Sequence, residues 1–99
     1  MLHIVNKSPA QSPSLGSALR LAQDGHAVLL IEDGVYGATT AMAEHSGLAA
    51  ATSRLKIYAL MPDLEARAMA GRVAAGVTLV DYAGFVDLVA EHPSSQSWL

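Results

Sequence analysis

Apolar positions along this chain change spacing as it proceeds, and each change marks an element. Ala27 to Ile31 is an unbroken apolar run, AVLLI, followed by Glu32, Asp33 and Gly34. A strand with one wet face alternates apolar with polar, whereas a strand covered on both faces reads as continuous apolar sequence. Val28–Ile31 is therefore predicted at the middle of a parallel sheet. Leu2–Val5, interrupted only by His3, reads as a first strand, Lys56–Leu60 as a third and Val77–Val80 as a fourth.

Between these runs the spacing becomes helical. Leu15, Ala18, Leu19 and Ala22 recur on one face, after the loop NKSPAQSPS and before Gly25. Ser12 or Ser14 is placed to cap this helix, and Pro13 suits its first position. Val35–Leu55, rich in Ala, Gly, Thr and Ser, is read as helical in its first half and a looser turn through Ser46 and Gly47 in its second. Pro62 and Asp63 open a short helix, PDLEARAMA, that Gly71 ends. Asp81 opens the last, where Tyr82, Phe85, Val86 and Val89 share a face with Leu88 beside it. His92 and Pro93 stop it, leaving a polar tail, Ser94–Ser97, ahead of Trp98 and Leu99. Strands alternating with helices predict an α/β fold with a mainly parallel sheet of four to five strands. Right-handed crossovers put helices on both faces.

Composition then narrows the function. Ninety-nine residues suffice for a single domain spanning 1–99. With 52% apolar and 15% charged residues, the chain has more apolar surface than so small a core hides, so association with other chains is expected. A net charge of −3 and six scattered cations leave no footprint for nucleic acid. No run approaches the roughly 20 apolar residues of a membrane span, and no signal peptide is evident, so a cytoplasmic protein is expected. The chain contains no cysteine, which rules out thiolate zinc sites and any sulfur intermediate borne by these residues.

The remaining chemistry is sparse. Asp33, Asp63 and Asp81 each follow a strand and precede a helix, so a row of carboxylates lies along one sheet edge. Acid–base or metal work is one reading of it; helix capping, the demand each position carries anyway, is the one adopted. Lys7 and Glu32 sit at the ends of neighbouring strands and are expected to pair. His3, His26, His45 and His92 show no metal-ligand spacing. His3 is read as a locally bonded sheet residue and the others as loop or surface residues. No Gly-x-Ser-x-Gly elbow or glycine-rich phosphate loop occurs, so no catalytic residue, metal or cofactor is assigned. Trp98, the only tryptophan, is expected to dock on its own sheet or on a partner.

Several segments, taken in order, resemble the DsrH/TusB family of sulfur-relay proteins. They are Leu2-His3-Ile4-Val5-Asn6-Lys7-Ser8-Pro9, Leu29-Leu30-Ile31-Glu32-Asp33-Gly34-Val35-Tyr36, Tyr58-Ala59-Leu60 with Pro62-Asp63-Leu64-Glu65-Ala66-Arg67, Asp81-Tyr82-Ala83-Gly84-Phe85-Val86, and Ser97-Trp98-Leu99. The Asn-Lys-Ser-Pro and Glu-Asp-Gly-Val-Tyr stretches resemble the DsrH branch more than TusB. The resemblance implies a three-layer DsrE-like, flavodoxin-like domain and a heterohexamer with two other subunit types. One is a DsrE/TusD-like subunit whose cysteine carries persulfide; the other is DsrF/TusC-like. DsrH-type chains often bear a cysteine in the first helix, where this one reads Ser14-Leu15-Gly16-Ser17-Ala18-Leu19.

The expectation is thus a non-catalytic subunit serving sulfur oxidation, with TusB-like 2-thiolation of tRNA wobble uridine as the alternative. A stand-alone flavodoxin-like enzyme or ligand binder is the rival from another class. Interface candidates are Tyr36, Phe85, Leu88, Val89 and Trp98; candidates at the sheet edge are Lys7, Glu32 and Asp33.

Overall fold

Three successive crossovers step the same way across one sheet, and the fourth jumps back over all of them. The structure is a computed structural model describing residues 1–98, so Leu99 lies outside the described residues. Its strands are β1 (Leu2–Val5), β2 (Ala27–Leu30), β3 (Lys56–Leu60), β4 (Val77–Val80) and β5 (Ser95–Trp98). They form an all-parallel sheet in the order β4-β3-β2-β1-β5. Right-handed crossovers that share a direction must lie on the same face. Accordingly α1 (Ser14–Leu21), α2 (Ala43–Ser46), α3 (Leu48–Ala51) and α4 (Met61–Ala66) cover one side. Among the described residues the opposite side has α5 (Tyr82–Glu91) as its one helix.

Strand alternation divides the core between these faces. Val5, Val28, Leu30, Ile57 and Ala59 pack beneath the helices of the thick side with Leu15, Leu19, Leu48 and Leu64. Leu2, Ala27 and Leu29 meet Leu88 on the thin side, with Ile4, Tyr58 and Phe85 partly buried around them. Every residue of β2 is buried, as its continuous apolar run requires.

Three segments differ from expectation. The polar tail is a strand, β5, paired with β1 from Leu2↔Ser95 to Val5↔Trp98. An edge strand needs backbone pairing rather than an apolar run, so Ser-Gln-Ser is tolerated there. The first half of Val35–Leu55 is no α-helix: Glu32–Ala38 is a 3₁₀ segment, and helix appears later, in α2 and α3. The segment packs closely on α1, since a Cβ on Gly37 would lie 2.5 Å from Leu15 Cδ2. The helix begun at Met61 stops at Ala66, and Ala68 takes a left-handed φ of 57° before a 3₁₀ turn at Ala70–Arg72.

The C-terminal end of α1 is closed from a distance. The Arg54 guanidinium donates to the carbonyls of Ala22 (2.7 Å) and Leu19, and lies 3.4 Å from Asp24. A cation there satisfies orphan carbonyls and suits the negative helix end.

Candidate functional site

The carboxyl edge of the sheet is where an open parallel fold presents its working groups. Here the chain leaves β2 through Ile31 and enters a strained turn. Glu32 has φ 51°, a left-handed value uncommon for a residue with a Cβ. The turn is held by its neighbour: the Glu32 N–H donates to Asp63 Oδ2 at 2.6 Å. One turn further on, just past the end of α4, Arg67 Nε donates to Asp33 Oδ1 (3.0 Å) and Arg67 Nη1 to the Asp63 carbonyl (3.1 Å). Asp33, Asp63 and Arg67 thus clamp the ends of β2 and β3 together.

This corrects the capping expectation for two of the three acids. Asp81 does cap α5, its Oδ1 accepting from Gly84 N–H at 2.8 Å. Neither Asp33 nor Asp63 caps the helix it opens; the first is an ion-pair partner and the second caps a turn in another segment. Lys7 and Glu32 do not pair, since the ion pairs among the described residues are Arg54–Asp24 and Arg67–Asp33. Asp63→Ala should cost about 1 kcal/mol by leaving the Glu32 N–H without its acceptor, whereas Asp63→Asn, which keeps an acceptor oxygen, should cost less. Urea unfolding of the two variants measures the difference.

The interface candidates do not meet on one surface. Tyr36 lines a cleft of about 250 Å³ with Thr39, Met42, Met69 and Arg72. Phe85 and Leu88 turn toward the sheet, while Val89 faces outward. Beside Val89 stand Tyr82 and Val86, expected to share a face with Phe85 but instead 62% and 66% exposed, and not named among the interface candidates. Their helical spacing with Val89 was the available signal; which side faced the sheet was not.

Trp98 docks on its own sheet, and in doing so reveals a cluster that sequence reasoning missed. Its indole Nε1–H donates to His3 Nδ1 at 3.2 Å, and His3 Nε2 lies 3.1 Å from His26 Nδ1. His3 is buried on β1, and its partners come from β5 and from the loop just before β2 rather than from local groups. Burial first, then His26 and the N-terminal ammonium, hold the His3 imidazole below its ordinary value of 6.5. Burial first, then that ammonium and His92, do the same to His26.

Among the described residues no nucleophile is bonded to a base in this cluster. Among the described residues no cluster of three or more His, Asp or Glu side chains is placed to hold a metal ion, and no helix is long and apolar enough to cross a membrane. What the geometry offers is a rigid edge and an uncovered apolar helix. Residues 7–95 match the protein family described as DsrH like protein. The chain belongs to the DsrH-like family. This DsrH-like chain is 37% identical to Protein TusB of Escherichia coli strain K12 over 98 residues, 99% of the chain and 100% of the relative. It is 38% identical to Protein TusB of Pectobacterium parmentieri over the same span. The DsrH-like fold also superposes on the solution structure of Protein Tm0979 from Thermotoga maritima. That match has a TM-score of 0.65 and 24% identity, over 93% of this chain and 94% of the other.

Proposed function

We propose that this chain is a non-catalytic subunit of a cytoplasmic sulfur-relay complex of the TusB type, acting in 2-thiolation of tRNA wobble uridine. End-to-end similarity to TusB proteins carries this reading. The sulfur-oxidation branch, suggested by Asn6–Pro9 and Glu32–Tyr36, has weaker support, since the curated relatives bear the TusB name. The chain has no cysteine, so the persulfide belongs on a partner resembling TusD, with a TusC-like subunit completing the complex. This subunit's part is to hold and cover.

The uncovered side of α5 supports that role. Tyr82, Val86 and Val89 form an exposed apolar stripe. Asp81 at the helix start, with Asp87 and Glu91 along it, gives an acidic margin, and the helix has no cation. Two copies packed α5 against α5 in antiparallel fashion about Val86 would set Asp81 against Glu91 at both ends. Like charges so placed suppress self-pairing. The fitting partner is a different chain, with an apolar face bordered by Lys or Arg.

The test is co-purification with TusC-like and TusD-like subunits, followed by labelled-persulfide loading of the TusD-like cysteine. Val86→Asp should weaken assembly by about tenfold or more, the scale set by a central interface residue. Loading should recover at saturating subunit concentration. Loading that stays low in a restored complex would mean that this chain does something chemical. Unimpaired assembly of Val86→Asp would remove α5 as the docking face. In cells lacking their own TusB, the wild-type chain should restore 2-thiouridine in tRNA; failure to do so would favour the sulfur-oxidation branch.

A further inference from the structure

Strand β5 holds to the sheet by backbone pairing and one large side chain. Ser95, Gln96 and Ser97 are exposed, whereas Trp98 packs against the thick-side core. The donor-only indole N–H decides the protonation of everything behind it. Because Trp98 Nε1–H donates to His3 Nδ1, that nitrogen bears no proton, and the neutral ring carries its hydrogen on Nε2. That hydrogen points at His26 Nδ1, which also accepts from the Gln23 N–H at 3.2 Å. His26 is therefore a neutral ring with its hydrogen on Nε2 as well. The ring centroids follow one another at 5.3 Å (His3–His26) and 6.2 Å (His3–Trp98).

A proton added to either ring has one vacant nitrogen to occupy that faces the chain, and both choices break it. On His3 Nδ1 it would confront the indole N–H. On His26 Nδ1 it would confront His3 Nε2–H and Gln23 N–H together. We propose that His3, His26 and Trp98 form an acid-sensitive latch, in which protonation of the histidine pair releases Trp98 and loosens edge strand β5 from β1.

The surroundings do not offset the added charge. His26 acts on His3, the N-terminal ammonium on both rings and His92, from the end of α5, on His26, and all of these are cationic when charged. Strand β5 has no titratable side chain. On α1 the charged residue is Arg20, exposed and bonded to Ser17. Asp24, beside His26 in its loop, faces Arg54, and Glu91 on α5 is exposed. The sign follows from linkage. Both rings titrate below 6.5 in the folded state, so the unfolded chain binds more protons as pH falls through that value. The latch is at full strength above 6.5 and is lost as pH falls toward the lowered values.

Trp98, being the only tryptophan, reports on itself. Its fluorescence and acrylamide quenching are followed from about pH 8 to about pH 5, beside far-ultraviolet circular dichroism. The expected result is a shift of emission to longer wavelength with greater quenching, at a midpoint matching the His3 and His26 ring signals by NMR and with the dichroism retained. His3→Gln, which offers the indole an acceptor that does not titrate, should blunt the response. An emission spectrum indifferent to pH would overturn the latch, as would a shift coincident with global unfolding. A full response retained in folded His3→Gln would overturn it too. Should that variant not fold, the coincidence of the wild-type ring and indole midpoints decides.

Discussion

Gly34→Ala is expected to destabilise the protein by about 3 kcal/mol or more, the upper end of what overpacking costs. A Cβ at this position would overlap the Val5 carbonyl oxygen and stand 3.0 Å from its carbon. That oxygen already accepts the Ile31 N–H at 3.0 Å, extending the β1–β2 ladder. No side chain can swing aside, because the obstacle is backbone. Relief would require the 3₁₀ segment to lift off β1, pulling Glu32 from Asp63 and Asp33 from Arg67. Against a total stability of about 5–15 kcal/mol for an ordinary domain, such a loss is severe. Gly71→Ala is the control, since its Cβ would meet nothing within 4 Å, and it should stay within about 0.5 kcal/mol of wild type. Chemical denaturation of the pair tests this; similar midpoints would refute the close-approach argument.

Leu29→Ala is expected to cost about 2–3 kcal/mol and Leu30→Ala more, toward the top of the roughly 2–5 kcal/mol range for such truncations. Both side chains are wholly buried, and they are neighbours on one strand. They differ in what lies above them. Leu30 points into the thick side, where several helices hold one another in place, so its cavity would stay open. Leu29 points toward α5, a single helix free to settle inward. Urea unfolding of the two variants ranks them, and a larger loss for Leu29→Ala would contradict the layering argument.

The apolar runs made four strands legible, to within a residue for β2, because burial on both faces leaves a continuous signature. β5 left none. Ser-Gln-Ser-Trp is held by the β1 backbone, and backbone groups have no sequence. The three acids after strands look alike as letters, yet only Asp81 caps its helix. Asp33 and Asp63 are drawn to Arg67 and to the Glu32 N–H, and the second bond is made at a left-handed residue that nothing in Glu-Asp-Gly-Val announces. The clustering of His3, His26 and Trp98 was illegible for a different reason. Residues 3 and 98 meet only because β5 takes the place next to β1, which is settled by the long return of the chain beneath the sheet. Alternation along α5 showed an apolar helix; that three of its apolar residues face outward goes with its being the one helix on its side among the described residues.

Strand order also has a consequence in time. During synthesis β1 is made before the others, yet the neighbour on its outer edge is the last of the described strands, pairing residue 2 with residue 95. Sheets built on such distant partners close slowly, since a long loop must be ordered before the contacts reward it. While the ribosome is still adding β2, β3 and β4, the Leu-His-Ile-Val edge stands open. An unpaired apolar edge is a template for strands of other chains. The β1 edge is therefore open to mispairing until β5 arrives, and the few polar residues of β5 act as the seal that ends that exposure.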